Sequence, residues 1–346
     1  MSKSWFPVLL VVALIGAPAA PGVAQSVAVL QPSRVIALEA KAPADEPAIV
    51  YDVSLDPTGR LLAVAGDDHL VRIFDADDAT LLHELSGHTD WVRAAVFRND
   101  GKLLASAGDD RRIRLWNVGS RETPISTPQQ PQVIYVLACS PDGRMLAAAG
   151  FGDKVRIFDG SDGSQLRTLD APGGDIRTVI FSPGGKYLAA AGRDGTIRIW
   201  DAVTGQMLGD LTGPRRRIHA LAYSADGKLL AAAGEGRTIR VWNVTTGTPD
   251  SELPERPGSV FSLVFCGPRT LAAGGSDNLI RLWDLTTNQE QSQLAGHTGT
   301  VTTLVFNPAT GVLVSGSFDT TVRIWRLGDS DGENISRRYG GWTVTQ

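Results

Sequence analysis

Hydrophobic and polar positions in this chain group into short bursts separated by turn residues. Between Leu82 and Trp116 the pattern is complete. A short run from Leu82 to Leu85 is broken by Gly87-His88, and a strand-like stretch runs from Val92 to Phe97. Asn99-Asp100-Gly101 turns the chain, Leu103 to Ala107 is a second apolar stretch, and Gly108-Asp109-Asp110 turns it again. Ile113-Arg114-Leu115-Trp116 then alternates at period two. Strand, turn, strand, turn, strand predicts an antiparallel meander, with turn residues that tolerate φ > 0 or cap their own backbone. The formula returns around Asp56-Pro57-Thr58-Gly59, Ser140-Pro141-Asp142-Gly143 and Ala225-Asp226-Gly227, and Cys266-Gly267-Pro268-Arg269 is one residue shorter. Leu61 to Ala65, Met145 to Ala149 and Leu229 to Ala233 are continuously apolar and rich in Ala. A half-exposed strand would alternate, so these are expected to be inner strands held between neighbouring units.

Each meander closes on an aromatic residue followed by a polar one: Phe74-Asp75, Trp116-Asn117, Phe158-Asp159, Trp200-Asp201, Trp242-Asn243, Trp283-Asp284 and Trp325-Arg326. The successive gaps are 42, 42, 42, 42, 41 and 42 residues, a period typical of propeller blades. On these motifs the chain, from near Arg34 to Leu327, resembles the WD-repeat β-propeller family. The resemblance implies an all-β, seven-bladed WD-repeat propeller in a single domain, with four antiparallel strands per blade. In similar proteins an N-terminal segment supplies the outer strand of the last blade. Here Gly328 to Asn334 is polar and aperiodic, whereas Val35-Ile36-Ala37-Leu38 has strand character. A strand near residues 34–40 is therefore expected to close the ring, the alternatives being Ile335 to Tyr339 or Trp342 to Val344.

The ends of the chain differ from the repeats. Lys3, the apolar run Val8 to Ala17 and the small residues Gly22 and Ala24 have the layout of a signal peptide over residues 1–24. The apolar run is about half the ~20 residues a membrane span needs. Export to the periplasm or the medium is expected, with a propeller over residues 25–327, a C-terminal tail over 328–346 and no membrane insertion after cleavage. The formal net charge of −4 offers no basic field for nucleic acid. Cys139 and Cys266 fall in blades too far apart for the ~7 Å Cα limit of a disulfide, so two separate thiols are expected.

In the family the signature side chains form a hydrogen-bonded set of His, Ser or Thr, Asp and Trp. Two units keep all four: His88, Ser106, Asp110 and Trp116, and His297, Ser315, Asp319 and Trp325. A buried imidazole and indole both need partners, and one carboxylate orients the ring. The role implied is structural. No haem, zinc-protease, nucleophile-elbow or phosphate-loop motif is present. No cofactor, metal or catalytic residue is expected.

Propellers host both scaffolds and enzymes. The reading favoured here is a monomeric, non-catalytic scaffold that binds a protein or peptide in the cell envelope. The alternative is an enzyme of the lactonase or quinoprotein kind, with its active site at the mouth of the channel. The resemblance places partner contacts on the top rim. Carried across by register, these are Tyr51, Arg93, Tyr135, Arg177, His219, Phe261 and Thr302 at one position, Trp91 and Arg217 at a second, and Asp67, Phe151, Arg193 and Phe318 at a third. Aromatics interleaved with arginines are hot-spot residue types. The expected partner is an extended, partly acidic segment, and Trp91, Arg93 and Arg177 are expected to be exposed and cheap to replace.

Overall fold

A computed structural model describes residues 27–39, 46–120, 122–214 and 216–327; the expected leader, the tail and both alternative closing segments lie outside them. All regular elements are strands, arranged as seven sheets around one axis. Blade 1 shows the plan: Val50–Leu55, Leu61–Gly66, Leu70–Asp75 and Leu81–Ser86 pair antiparallel in that order from the axis outward. The Ala-rich strands are the second strand of each blade, not the innermost. They are sandwiched on both faces, and Leu62, Ala63 and Ala65 are fully buried.

The core is divided. Seven apolar clusters occur among the described residues, one at each interface between neighbouring blades. The aromatic that ends each third strand packs into the cluster shared with the preceding blade: Trp116 with blade 1, Phe158 with blade 2, Trp200 with blade 3 and Trp325 with blade 6. No single blade has a second apolar layer of its own, so each sheet is stable only because its neighbours cover it.

Two details depart from four antiparallel strands per blade. The last blade takes Arg34–Ala37 as its outer strand, antiparallel to Thr321–Arg326. Just before it, Ala28–Leu30 lies parallel on the outer strand of blade 6, Gln289–Leu294, as a fifth strand. Gln31-Pro32-Ser33 carries the chain from one blade to the next, so the N-terminal segment straps blades 6 and 7 together. Blade 2 departs in the other direction. Its outer strand is only Ile125–Ser126, because Pro124 and Pro128 flank it and lack the N–H that a ladder needs.

The innermost strands of neighbouring blades are tied by side chains. Ser54 Oγ accepts the Phe97 N–H (3.1 Å), and Ser262 Oγ accepts that of Leu304 (2.9 Å). At the closing junction the tie is Asp52. Its carboxylate accepts the Ala95 N–H of blade 2 (3.0 Å), the Thr303 hydroxyl of blade 7 (2.9 Å) and its neighbour's Val53 N–H (2.9 Å). Burial pushes this carboxyl up to about 6, against the pull of those hydrogen bonds. A raised folded-state value means that Asp52 adds stability below pH ~4 and that the gain is lost as pH rises through about 6. His88 and His219, both lowered by burial, act in the opposite sense over the same range. The comparison that isolates Asp52 is therefore with Asp52→Asn. Wild type should gain up to ~3 kcal/mol over the variant between pH 7 and pH 4, read from denaturant midpoints. A constant difference across that range would show that Asp52 does not titrate there.

Candidate protein-interaction face

In every blade the ladder between the first and second strands slips by one residue, and the extra residue is the second of the first strand or its equivalent: Tyr51, Arg93, Tyr135, Arg177, His219, Phe261 and Thr302. These are β-bulges, which leave a residue unpaired and re-aim its side chain. The bulge drives the preceding carbonyl toward the end of the second strand. A Cβ on Gly108 would lie 1.9 Å from the Trp91 carbonyl oxygen, and one on Gly234 would lie 2.0 Å from that of Arg217. Glycine ends the second strand in six blades, where it leaves room for that carbonyl, and Ser317 takes the position in blade 7. Because all seven bulges sit at the same end of their sheets, one side chain per blade is delivered to one face of the ring.

On blades 7, 1, 2 and 3 these side chains form a continuous aromatic arc. Phe318 meets the Tyr51 ring edge-on at 6.1 Å, and Tyr51 lies 6.0 Å from Trp91. The Arg93 guanidinium covers Tyr51 at 4.3 Å, Trp91 at 4.6 Å and Tyr135 at 5.4 Å. Tyr135 packs on Phe151 at 4.8 Å, and Arg177 lies over both rings. Trp91, Phe151 and Phe318 nevertheless remain 41%, 47% and 45% exposed. Contiguous large aromatics left half in water make this end of the ring a candidate contact surface.

Arg93 and Arg177 are not the exposed, cheaply replaced groups expected from register. Arg93 is gripped by both oxygens of Asp109 (2.9 and 2.8 Å), with only 17% of its side chain exposed. Arg177 Nε is 2.8 Å from Asp175, whose second oxygen is 3.0 Å from Arg217, and Arg217 in turn reaches Glu235 at 3.3 Å. The physical reason is desolvation: a guanidinium sunk among rings loses hydration, and a carboxylate beside it offsets that cost. Asp109 and Asp175 could have been found by register, since each stands at a rim position occupied in another blade by Phe151 or Trp91. Among the remaining rim residues, Asp67 accepts the Ile49 N–H at 2.9 Å and Thr302 donates to the Val50 carbonyl at 2.9 Å. Arg193 is exposed and has no ion pair among the described residues. His219 stacks on Phe261 at 4.7 Å. Burial drives the His219 ring down to about 4, against the Glu235 charge nearby, so it is neutral near pH 7.

The two hydrogen-bonded sets lie between blades, behind the face. In blade 2, His88 Nδ1 is 2.9 Å from Asp110 and its Nε2 is 2.7 Å from Ser106 Oγ, which accepts the Trp116 indole N–H at 2.7 Å. Burial opposes ionisation of Asp110, but the bonds from His88, Arg112 and Arg114 hold it well below the usual carboxylate range. In blade 7, His297 bridges Asp319 (2.9 Å) and Ser315 (2.8 Å), and Trp325 donates to Ser315 at 2.9 Å. Register missed a substitute in blade 6. Arg256 occupies the His position, 3% exposed, and donates to Asp277 at 2.7 Å and to the Ala273 carbonyl at 3.2 Å. The cysteines are separate free thiols. Among the described residues no three His, Cys, Asp or Glu side chains converge as a metal site, and no helix is long and apolar enough to cross a membrane.

Seven segments, residues 42–75, 79–117, 123–159, 163–201, 205–243, 247–284 and 288–326, match the family described as WD domain, G-beta repeat. The chain belongs to the WD-repeat family. The six matches after the first each begin just before the outer strand of one blade and end on the third strand of the next, so consecutive WD units share a sheet and lock the ring. A 42-residue stretch of this WD propeller is also 48% identical to part of the probable serine/threonine-protein kinase PkwA of Thermomonospora curvata. That likeness covers 12% of this chain and 6% of the kinase, about one repeat, and carries nothing of the kinase's activity to this chain.

Proposed function

We propose that this WD propeller is a non-catalytic scaffold whose partner, a protein segment, docks on the bulge-defined face, and that it does so in the cell envelope after export. The observation that carries the reading is the convergence of seven bulged side chains on one face, with three half-exposed aromatics beside them. Strands hold the bulged side chains, and Trp91, Phe151 and Phe318 each sit one residue beyond a strand end, which keeps the ordering entropy of binding low. Trp91→Ala, Phe151→Ala and Phe318→Ala combined should leave the fold intact and weaken partner capture from an envelope fraction by more than tenfold. Leu82→Ala with Leu208→Ala, on the outer wall, should not affect it. Retention of every partner by the face variant would refute the docking site. Export rests on the leader alone: intact-mass measurement of the native protein should give Gln25 as the first residue, and a cytoplasmic form beginning at Met1 would refute it.

A further inference from the structure

The docking face proposed above has a particular chemistry. Along the aromatic arc the positive charges are already consumed: Arg93 is held bidentate by Asp109, and Arg177 sits against Asp175. An acidic partner would have to compete with carboxylates already in place. A cationic partner fares no better, because the ring faces of Tyr51, Trp91 and Tyr135 are already occupied by the Arg93 guanidinium. What is left open is neutral aromatic surface on Trp91, Phe151 and Phe318.

The arc also has a lopsided hydrogen-bonding inventory. Among the described residues no protein acceptor takes the O–H of Tyr51 or Tyr135 or the indole N–H of Trp91. Burial raises both phenols, so each keeps its proton to donate. Of the nearby carboxylates, Asp109 is consumed by Arg93 and one oxygen of Asp67 by the Ile49 N–H. Open donors beside exposed aromatic rings suit a ligand that offers carbonyls and asks for few acceptors. An ordinary peptide brings one N–H per residue, and a sugar brings many hydroxyls. Proline has no N–H.

We infer that the arc receives a proline-rich segment in the extended polyproline II conformation, its pyrrolidine rings lying on the exposed aromatics and its carbonyls accepting from Tyr51, Tyr135 and Trp91. The spacing agrees. Arg93 bridges Tyr51 and Tyr135 at 4.3 and 5.4 Å, so those rings are no further apart than the sum of the two distances, about one ~9 Å turn of polyproline II. Such a ligand is pre-organised and loses little entropy on docking.

This inference rests on the docking face and is tested with defined probes. Uncharged decaproline, an Asp-Ala decamer, a Lys-Ala decamer and a Gly-Ser decamer are titrated calorimetrically into the full chain. Decaproline should bind saturably, with an affinity insensitive to a tenfold change in salt, and the other three should not. Trp91→Ala and Phe151→Ala should each weaken binding on the order of tenfold. Tyr135→Phe should weaken it several-fold, whereas Arg193→Ala should leave it unchanged. Preference for the acidic decamer, lost in the same aromatic variants, would overturn the proline assignment and leave the docking face standing. Decaproline binding indifferent to all three aromatic variants would overturn the proline assignment at the arc, and the docking face stands or falls separately on partner capture by the face variant. Absence of decaproline binding, with envelope partners still captured through the face, would overturn the proline assignment alone.

Discussion

Deletion of Ala28–Ala37 is expected to open the ring and lower the melting temperature by more than ~10 °C. Every other blade obtains its outer strand from the chain that follows its third strand, but blade 7 depends on Arg34–Ala37 for that strand. Ile36 is 6% exposed, and Leu38 just beyond the strand is 3% exposed; both lie in the cluster shared by blades 7 and 1. Burying one such side chain is worth about 1.5–3 kcal/mol, and the ladder to Thr321–Arg326 is lost as well. Removing only Val27–Leu30 should cost much less, because Val29 is 57% exposed and the parallel pairing involves three residues. An unchanged melting temperature in the longer deletion would mean that another segment closes the ring.

Trp116→Ala and Trp325→Ala should each cost about 3–5 kcal/mol in denaturant unfolding, through a cavity between blades and a serine left without its indole donor. Phenylalanine substitutions separate those two contributions. In blade 6, Ala273 stands where Ser106 and Ser315 stand elsewhere, and the buried Trp283 indole N–H has no acceptor among the described residues. Trp283→Phe should therefore be near neutral, while Trp116→Phe should cost ~1–3 kcal/mol for the hydrogen bonds alone. Equal costs at the two sites would show that the Ser106–His88–Asp110 chain contributes no specific stability.

Much of this architecture is legible in the sequence because it is local. A strand of period two, a turn of Asp and Gly and an aromatic at fixed spacing are each decided within a few residues, and sevenfold recurrence removes the ambiguity of a single copy. The His–Ser–Asp–Trp sets are legible for the same reason: a buried imidazole at a known register has few partners to choose from. Failures of register begin where a side chain meets a group from another blade. Arg93 reads as a free cation until Tyr51, Trp91, Tyr135 and Asp109 are seen around it.

The sequence alone therefore determined the number of blades and the fold class, since periodic burial and turn chemistry act along the chain; the rim positions came from the resemblance to the WD-repeat family. Only the tertiary structure decided how the rim is charged, how the N-terminal segment straps blades 6 and 7, and that Asp52 ties blade 7 to blades 1 and 2. Those outcomes depend on desolvation and on contacts across blade interfaces. A guanidinium buried beside aromatic rings takes the carboxylate within reach, and the reach is set by closure of the ring, which no stretch of forty residues contains.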